Sequence, residues 1–395
     1  MSTITLQHLL DACRPGGASV LTSVTPLEPA AGPHASVAPA KFVSGSKSVF
    51  AYERRFWNGE AATAVLIDSK QSQNNRLEAA VSAAIADEDP VLTRTPRIEL
   101  RFEDGQVYND MDLPHRAFDG QIRAGTINGE PATAVQKYRE LRDSTVAHAR
   151  PLLERSPMTL LLGGWDASRK SHQGRYRSIL VGEIIGILAD QDGGPEANQS
   201  KRGGARIDPV GMRIDLGDKA RKAIADAQKH ELSASTHKSA SGKTGKASTL
   251  GLGGVPPSLE QLGGVTCQAI IRSHVLSFAA LRALRFDSPT PEGDVACRAL
   301  LAALALNGLA RSDAELLLRA NCDLVETGPA VVTLDRRYGQ KKSFEPLSID
   351  QAQELLSVAI DNATQTANLT WDGSVLVVEG NPAILAAAAD DAQDD

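Results

Sequence analysis

Ala61-Ala-Thr-Ala-Val-Leu-Ile67 is an apolar run that stops abruptly at Asp68-Ser-Lys-Gln-Ser-Gln-Asn-Asn-Arg76, where every residue is polar. A short apolar run with sharp polar boundaries suits a buried strand. Beyond it Leu77, Ala80, Val81, Ala84 and Ile85 recur at helical spacing, which predicts a helix with one buried face and Ser72 as its N-cap. The same strand–loop–helix unit recurs twice. Met158–Leu162 reads as a strand and Gly163–Gly174 as its loop, with a helix carried by Leu180, Ile184, Ile187 and Leu188. Val265–Ile271 reads as a third strand, followed by a helix through Leu276, Ala279, Ala280 and Leu284. Strands alternating with helices at these intervals predict an α/β or α+β sheet with helices against it. No repeat of fixed period is present, which argues against a solenoid.

The intervening stretches are too long for ordinary connections. Val91–Gly129 and Gly193–Pro257 read as insertions, and loops of that length are usually functional or disordered. Lys229–Ser248 has the Ser/Lys/Gly bias of a mobile segment. Ala296–Leu309 and Ile349–Ile360 are expected to be helical, and Asp390–Asp395 frayed. The domain reading is a core over 17–342, interrupted at about 91–129 and 193–257, then a mostly helical acidic region over 343–395.

Aromatic residues make up only 4% of the 395, so the core must be built from Leu, Ile, Val and Ala. The same scarcity disfavours a reader that stacks many successive bases on rings. Cys13, Cys267, Cys297 and Cys322 lie far apart and form neither a disulfide framework nor a metal motif. A reducing, cytoplasmic setting is the expectation, with no signal peptide at the N-terminus and no contact with a membrane.

Net charge is −6, which at first disfavours a polyanion ligand. Its distribution reverses that. Ser343–Asp395 holds ten acidic and no basic residues, leaving 42 basic against 38 acidic in the preceding 342 residues. Gln199–Ala247 alone carries eleven Lys or Arg against five Asp or Glu. A basic centre and an acidic tail suit contact with nucleic acid at one place and with protein or solvent at another.

Asp68–Arg76 supplies more hydrogen-bonding groups than a helix cap requires. Ser69, Gln71, Ser72, Gln73, Asn74 and Asn75 offer hydroxyl and amide groups, and Arg76 can grip phosphate bidentately. Free N–H groups at a helix start favour the same anion. The second loop carries Arg169, Lys170, His172, Arg175 and Arg177 within nine residues beside a Gly-Gly pair, either a groove that tracks a nucleic-acid backbone or a solvated basic loop. Trp165 reads as an anchor in the core or at its rim. Arg54, Arg55, Lys201, Arg202 and Arg206 are further basic candidates, and Lys238, Lys243 and Lys246 belong to the segment expected to be mobile. Gly251–Pro257 does not spell a dinucleotide fingerprint, and Gly245-Lys246 does not complete a phosphate loop. No H-E-x-x-H or G-x-S-x-G motif occurs, so no catalytic residue, cofactor or metal is assigned. The competing reading is an RNA endonuclease using a loop carboxylate, Asp68 or Asp166.

Three segments in order carry a family resemblance. Asp68–Arg76 resembles a D-S-x-x-S-Q-A-N-R signature, Gly164-Trp-Asp166 resembles G-x-W-D-S, and Gly263-Gly-Val-Thr-Cys267 through Leu276–Arg282 resembles G-G-V-T … L-S-L-A-A-L-R. Together they resemble the CRISPR-associated RAMP protein of type I-G (formerly I-U) systems, the Cas-seven-type backbone subunit of Cascade, over about residues 17–290. Asn74 in place of Ala, Ala167 in place of Ser, and Gln268-Ala269 in place of Glu-Tyr depart from the pattern. The resemblance implies an α+β, modified RRM-like (ferredoxin-like) core with large inserted loops in a hand shape. It implies a non-catalytic subunit that stacks in copies along CRISPR RNA and supports pairing with target DNA. Other Cascade partners, a large subunit and an RNA-processing subunit, are implied too, with cutting left to a recruited nuclease. Such a subunit must hold RNA by phosphate and sugar, because the guide sequence varies.

Overall fold

The computed structural model describes residues 2–45, 47–201, 216–252, 262–318, 320 and 322–385. Two compact units emerge, one drawn from 1–198 and 265–380 and the other from 199–264 and 381–395.

The first unit opens with a short helix α1 (Leu6–Cys13) and strand β1 (Val20–Pro29), followed by a hairpin of β2 (Tyr52–Trp57) and β3 (Glu60–Asp68). Helix α2 (Lys70–Ala86) comes next, then strands β4 (Leu180–Leu188) and β5 (Cys267–Ser277). Helix α3 (Pro291–Ala314), strands β6 (Val331–Asp335) and β7 (Lys341–Phe344), and helix α4 (Ile349–Ala367) complete the main body. The strands lie in the order β7-β6-β1-β5-β4-β3-β2, with Leu324–Glu326 also paired to β1, and every pairing is antiparallel. Within that sheet β1-α2-β4-β5-α3-β6 forms a βαββαβ path whose strands stand in the order fourth, first, third, second. That is the α+β, RRM-like core, extended by the β2–β3 hairpin at one edge and β7 at the other.

Side-chain alternation explains which face is covered. Leu21, Ser23, Thr25 and Leu27 of β1 and Ile270, Arg272, His274 and Leu276 of β5 are buried. They stand in register with one another and with Leu180, Gly182, Ile184 and Gly186 of β4. Most alternate residues, among them Val24, Ser273 and Glu183, are half-buried or exposed, while Ile187 is buried with Ala62 and Ala64. Helix α3 is buried without interruption from Val295 to Leu309, so its neighbours must surround it. Helix α4 packs along it through Ala352, Leu355, Leu356, Ala359, Ile360 and Ala363, and α1 and α2 pack on it as well. Although α3 is long and apolar enough to cross a membrane, 89% of its apolar window is buried within the protein.

The structure corrects several sequence expectations. Met158–Leu162, expected as a strand, lies in the helix Pro157–Leu162; Pro157 occupies its first turn and Gly163, at φ +93°, ends it. Leu180–Leu188, expected as a helix, is strand β4; it is apolar on both faces, and such a sequence matches either period. The third strand runs to Ser277, so Leu276 is a strand residue and the helix is Phe278–Ala283. Lys229–Ser248 is structured over Ala234–Ser241, where Ser233 caps the helix and buried Arg221 donates to the carbonyls of Ala240 and Gly242 at 2.8 and 2.6 Å.

The boundary expected at residue 343 is crossed by packing. Helix α4 lies on α3, and Val375–Glu379 pairs in parallel with Arg97–Arg101 inside the first insertion. That insertion is therefore ordered into a small five-stranded sheet. Asp390–Asp395 and Gly253–Pro257 lie outside the described residues.

Gly308 lets α2 approach α3 closely, since a Cβ there would stand 2.7 Å from the side chain of buried Leu77. Gly308→Val should destabilise the protein by roughly 1–3 kcal/mol through overpacking, read by denaturant unfolding. Unchanged stability would show that the crossing has slack.

Candidate nucleic-acid interface

The polar run after β3 is the opening of a helix, not a loop. Ser69, not Ser72, is the N-cap, and its hydroxyl accepts from the backbone N–H of Ser72 at 3.2 Å. The difference follows from Asp68, which ends β3 fully buried and leaves Ser69 as the first residue free to cap. Helical geometry then divides the run. Lys70, Gln71 and Asn75 are exposed and Arg76 is half-buried, whereas Ser72, Gln73 and Asn74 turn inward. The Gln73 amide donates to Oδ2 of Asp68 at 2.6 Å. Three buried atoms nearby have no hydrogen-bond partner: Oδ1 of Asp68, Oγ of Ser72 and Nε of Arg76. Ser72 and Arg76, four residues apart, share one side of α2, and Asp68 ends β3 just before that helix; the three atoms mark where polar capacity is unspent.

Arg54 and Arg55 sit on neighbouring β2. Arg55 reaches Glu183 of β4 at 3.0 Å, and Lys70 lies 3.9 Å from the same carboxylate, so Glu183 draws Arg55 and the α2 start together. Arg54 is turned to Thr63, donating to its hydroxyl at 2.7 Å.

The second basic segment is a hairpin of Gly164–Trp165 and Arg175–Tyr176. Its base is fixed by Asp166, fully buried, which accepts from Arg142 Nε and Nη2 at 2.8 and 3.1 Å. Arg169 is held by Asp143 and by the Arg142 carbonyl, at 2.7 and 2.8 Å. Lys170, Arg175 and Arg177 point outward. Trp165, expected as an anchor in the core or at its rim, is instead 52% exposed, with the Arg175 guanidinium 5.3 Å from its ring centre. A guanidinium over an indole is a favourable pair and presents a stacking surface. Its position in a two-residue strand, below the length that shows periodicity, hid it from sequence reading.

One residue joins the two segments. Arg116 pairs with Glu78 of α2, Nη2 to Oε2 at 2.7 Å, and donates from Nη1 to the Gly163 carbonyl at 3.1 Å, immediately before the hairpin. The remaining candidates fall between residues 199 and 264 of the chain. Lys201 is on the strand Gln199–Lys201 of the second unit, where Lys238, Lys243 and Lys246 are exposed; Arg202 and Arg206 are outside the described residues. Asp68 and Asp166 are engaged with Gln73 and Arg142 respectively, and no group of three or more potential metal ligands occurs among the described residues.

Residues 21–191 match the model of the family described as CRISPR-associated protein GSU0053. This supports a CRISPR-associated role for the chain. The matched stretch contains both the α2 start and the Trp165 hairpin. No curated protein matches the chain.

Burial pushes the Glu78 carboxyl up to about 7 against the pull of Arg116, and burial likewise raises Asp110 to about 6. Groups raised in the folded state contribute stability that is full below the unfolded carboxylate value and is lost as pH rises through the folded one. Wild-type protein should therefore lose melting temperature between about pH 4.5 and about pH 7, and Glu78→Gln should flatten that decline. Identical pH profiles for the two proteins would contradict the assignment.

Proposed function

We propose that this chain is a non-catalytic CRISPR RNA-binding backbone subunit of a type I-G Cascade complex, a RAMP protein of the Cas-seven type. In this reading several copies lie side by side along the guide in the cytoplasm and support its pairing with target DNA, alongside a large subunit and an RNA-processing subunit. The observation that carries the proposal is that the matched CRISPR-associated segment holds two polar surfaces joined through Arg116.

The chemistry suits a guide of arbitrary sequence. Lys70, Gln71, Asn75 and Arg76 offer amide, ammonium and guanidinium donors to phosphate and 2′-hydroxyl oxygens. Arg175 and Trp165 add a cationic edge and a ring face that accepts any base. None of these contacts reads a base edge, as backbone recognition requires. The buried Arg142–Asp166 pair fixes the hairpin before RNA arrives, which lowers the ordering cost of binding.

Co-expression with a CRISPR array should yield protein carrying short RNA. The triple variant Gln71→Ala, Asn75→Ala, Arg76→Ala should lower RNA affinity by about tenfold or more, since hydrogen bonds to charged groups contribute about 1.5–3 kcal/mol. Protein that purifies free of nucleic acid from such cells would count against the proposal. Regularly spaced cuts in complementary RNA with Mg²⁺, abolished by Asp68→Ala or Asp166→Ala, would replace it with the endonuclease reading.

A further inference from the structure

The turn joining β6 to β7 together with the first two residues of β7, Arg336-Arg-Tyr-Gly-Gln-Lys-Lys342, has four basic residues in seven positions. Two backbone hydrogen bonds close it, Arg336 N to Gln340 O at 2.8 Å and Gln340 N to Arg337 O at 2.9 Å. Arg337, Tyr338 and Gly339 all adopt positive φ, at +72°, +51° and +76°. Two consecutive non-glycine residues in the left-handed region are unusual, and such backbone persists where the surroundings or a function demand it. Tyr338 is wholly exposed, which removes core packing as the reason for a ring there.

The charges divide into anchors and free donors. Arg337 donates from Nε to the Gly17 carbonyl at 3.1 Å, and Lys342 lies 2.7 Å from His8 Nε2 and over the Phe344 ring. Arg336, Tyr338 and Lys341 are exposed, and their side chains have no hydrogen-bond or ion-pair partner among the described residues. Two nearby acids are already engaged: Asp335 accepts from the Arg337 N–H at 3.3 Å, and Asp11 pairs with Arg14 at 2.6 Å. Burial first, and then Lys342 and Arg336, hold the His8 imidazole below its ordinary value, with Asp11 acting in the opposite direction.

We propose that the β6–β7 turn is a second nucleic-acid contact, with Arg336 and Lys341 on phosphodiester oxygens and the Tyr338 ring against a base or sugar. It is distinct from the α2 surface, because β6 stands four strand spacings from β3, about 20 Å across the sheet. The anchored Arg337 and Lys342 hold the turn in place, and the outward pair with the ring makes the contact. A phosphodiester chain is the ligand chemistry in either nucleic acid, and the two sources are separable by experiment.

The full chain is titrated with single-stranded RNA, single-stranded DNA and duplex DNA of one sequence over a salt series. The double variant Arg336→Glu, Lys341→Glu should weaken binding by about tenfold and reduce the salt slope by about one for each lost contact. Loss confined to RNA assigns the turn to the guide, and loss confined to DNA assigns it to the target. Tyr338→Gly should keep or raise the melting temperature, because glycine suits positive φ, yet still weaken binding. Wild-type affinity and slope for all three probes in the double variant would overturn the proposal. Should the α2 triple variant bind normally while the turn variants fail, the α2 surface is wrong and this contact stands.

Discussion

Everything in the first unit is arranged around the burial of α3. Fifteen consecutive residues, Val295–Leu309, are shut from solvent, and no amphipathic stripe could do that with one neighbour. The sheet, α1, α2 and α4 must therefore close on it together. Even its buried cation is satisfied locally, with Arg298 donating to the Leu284 carbonyl at 3.1 and 2.8 Å. Closing α2 against α3 at Gly308 fixes where the α2 start emerges, at the end of β3 and beside Glu183.

A second constraint acts on function. Arg116 ties Glu78 in α2 to Gly163 before the hairpin, so the two polar surfaces are held in one arrangement. The tie is costly, because Glu78 is buried deeply enough to favour protonation near neutral pH. Buried ion pairs are seldom worth much to stability, and register is their best-attested use. Under the proposed function, register between the two surfaces would matter more than the stability the tie contributes.

Much of this was legible in the chain. The alternation of strand, polar run and helix around residues 61–85 predicts the elements found there, displaced at the cap by three residues. Over residues 157–188 helix and strand stand in the reverse of the expected order, because Leu180–Leu188 is apolar on both faces, which period alone cannot resolve, and Pro157 and Gly163 bound the helix. Burial of Gln73 and Asn74 follows from the helix and is not legible in a polar run read as a loop. Charge counting hides the basic turn, because a boundary at Ser343 divides Lys341-Lys342 from the strand they belong to. Partners across the sheet, such as Arg55 with Glu183, depend on tertiary pairing that no local pattern encodes.

Ultraviolet cross-linking of RNA to the protein, isolated from cells carrying a CRISPR array, followed by peptide mass spectrometry, tests the central claim most directly. Cross-links are expected in the peptides holding Lys70–Arg76 and Trp165–Arg177. Cross-linked RNA that avoids both peptides would contradict it.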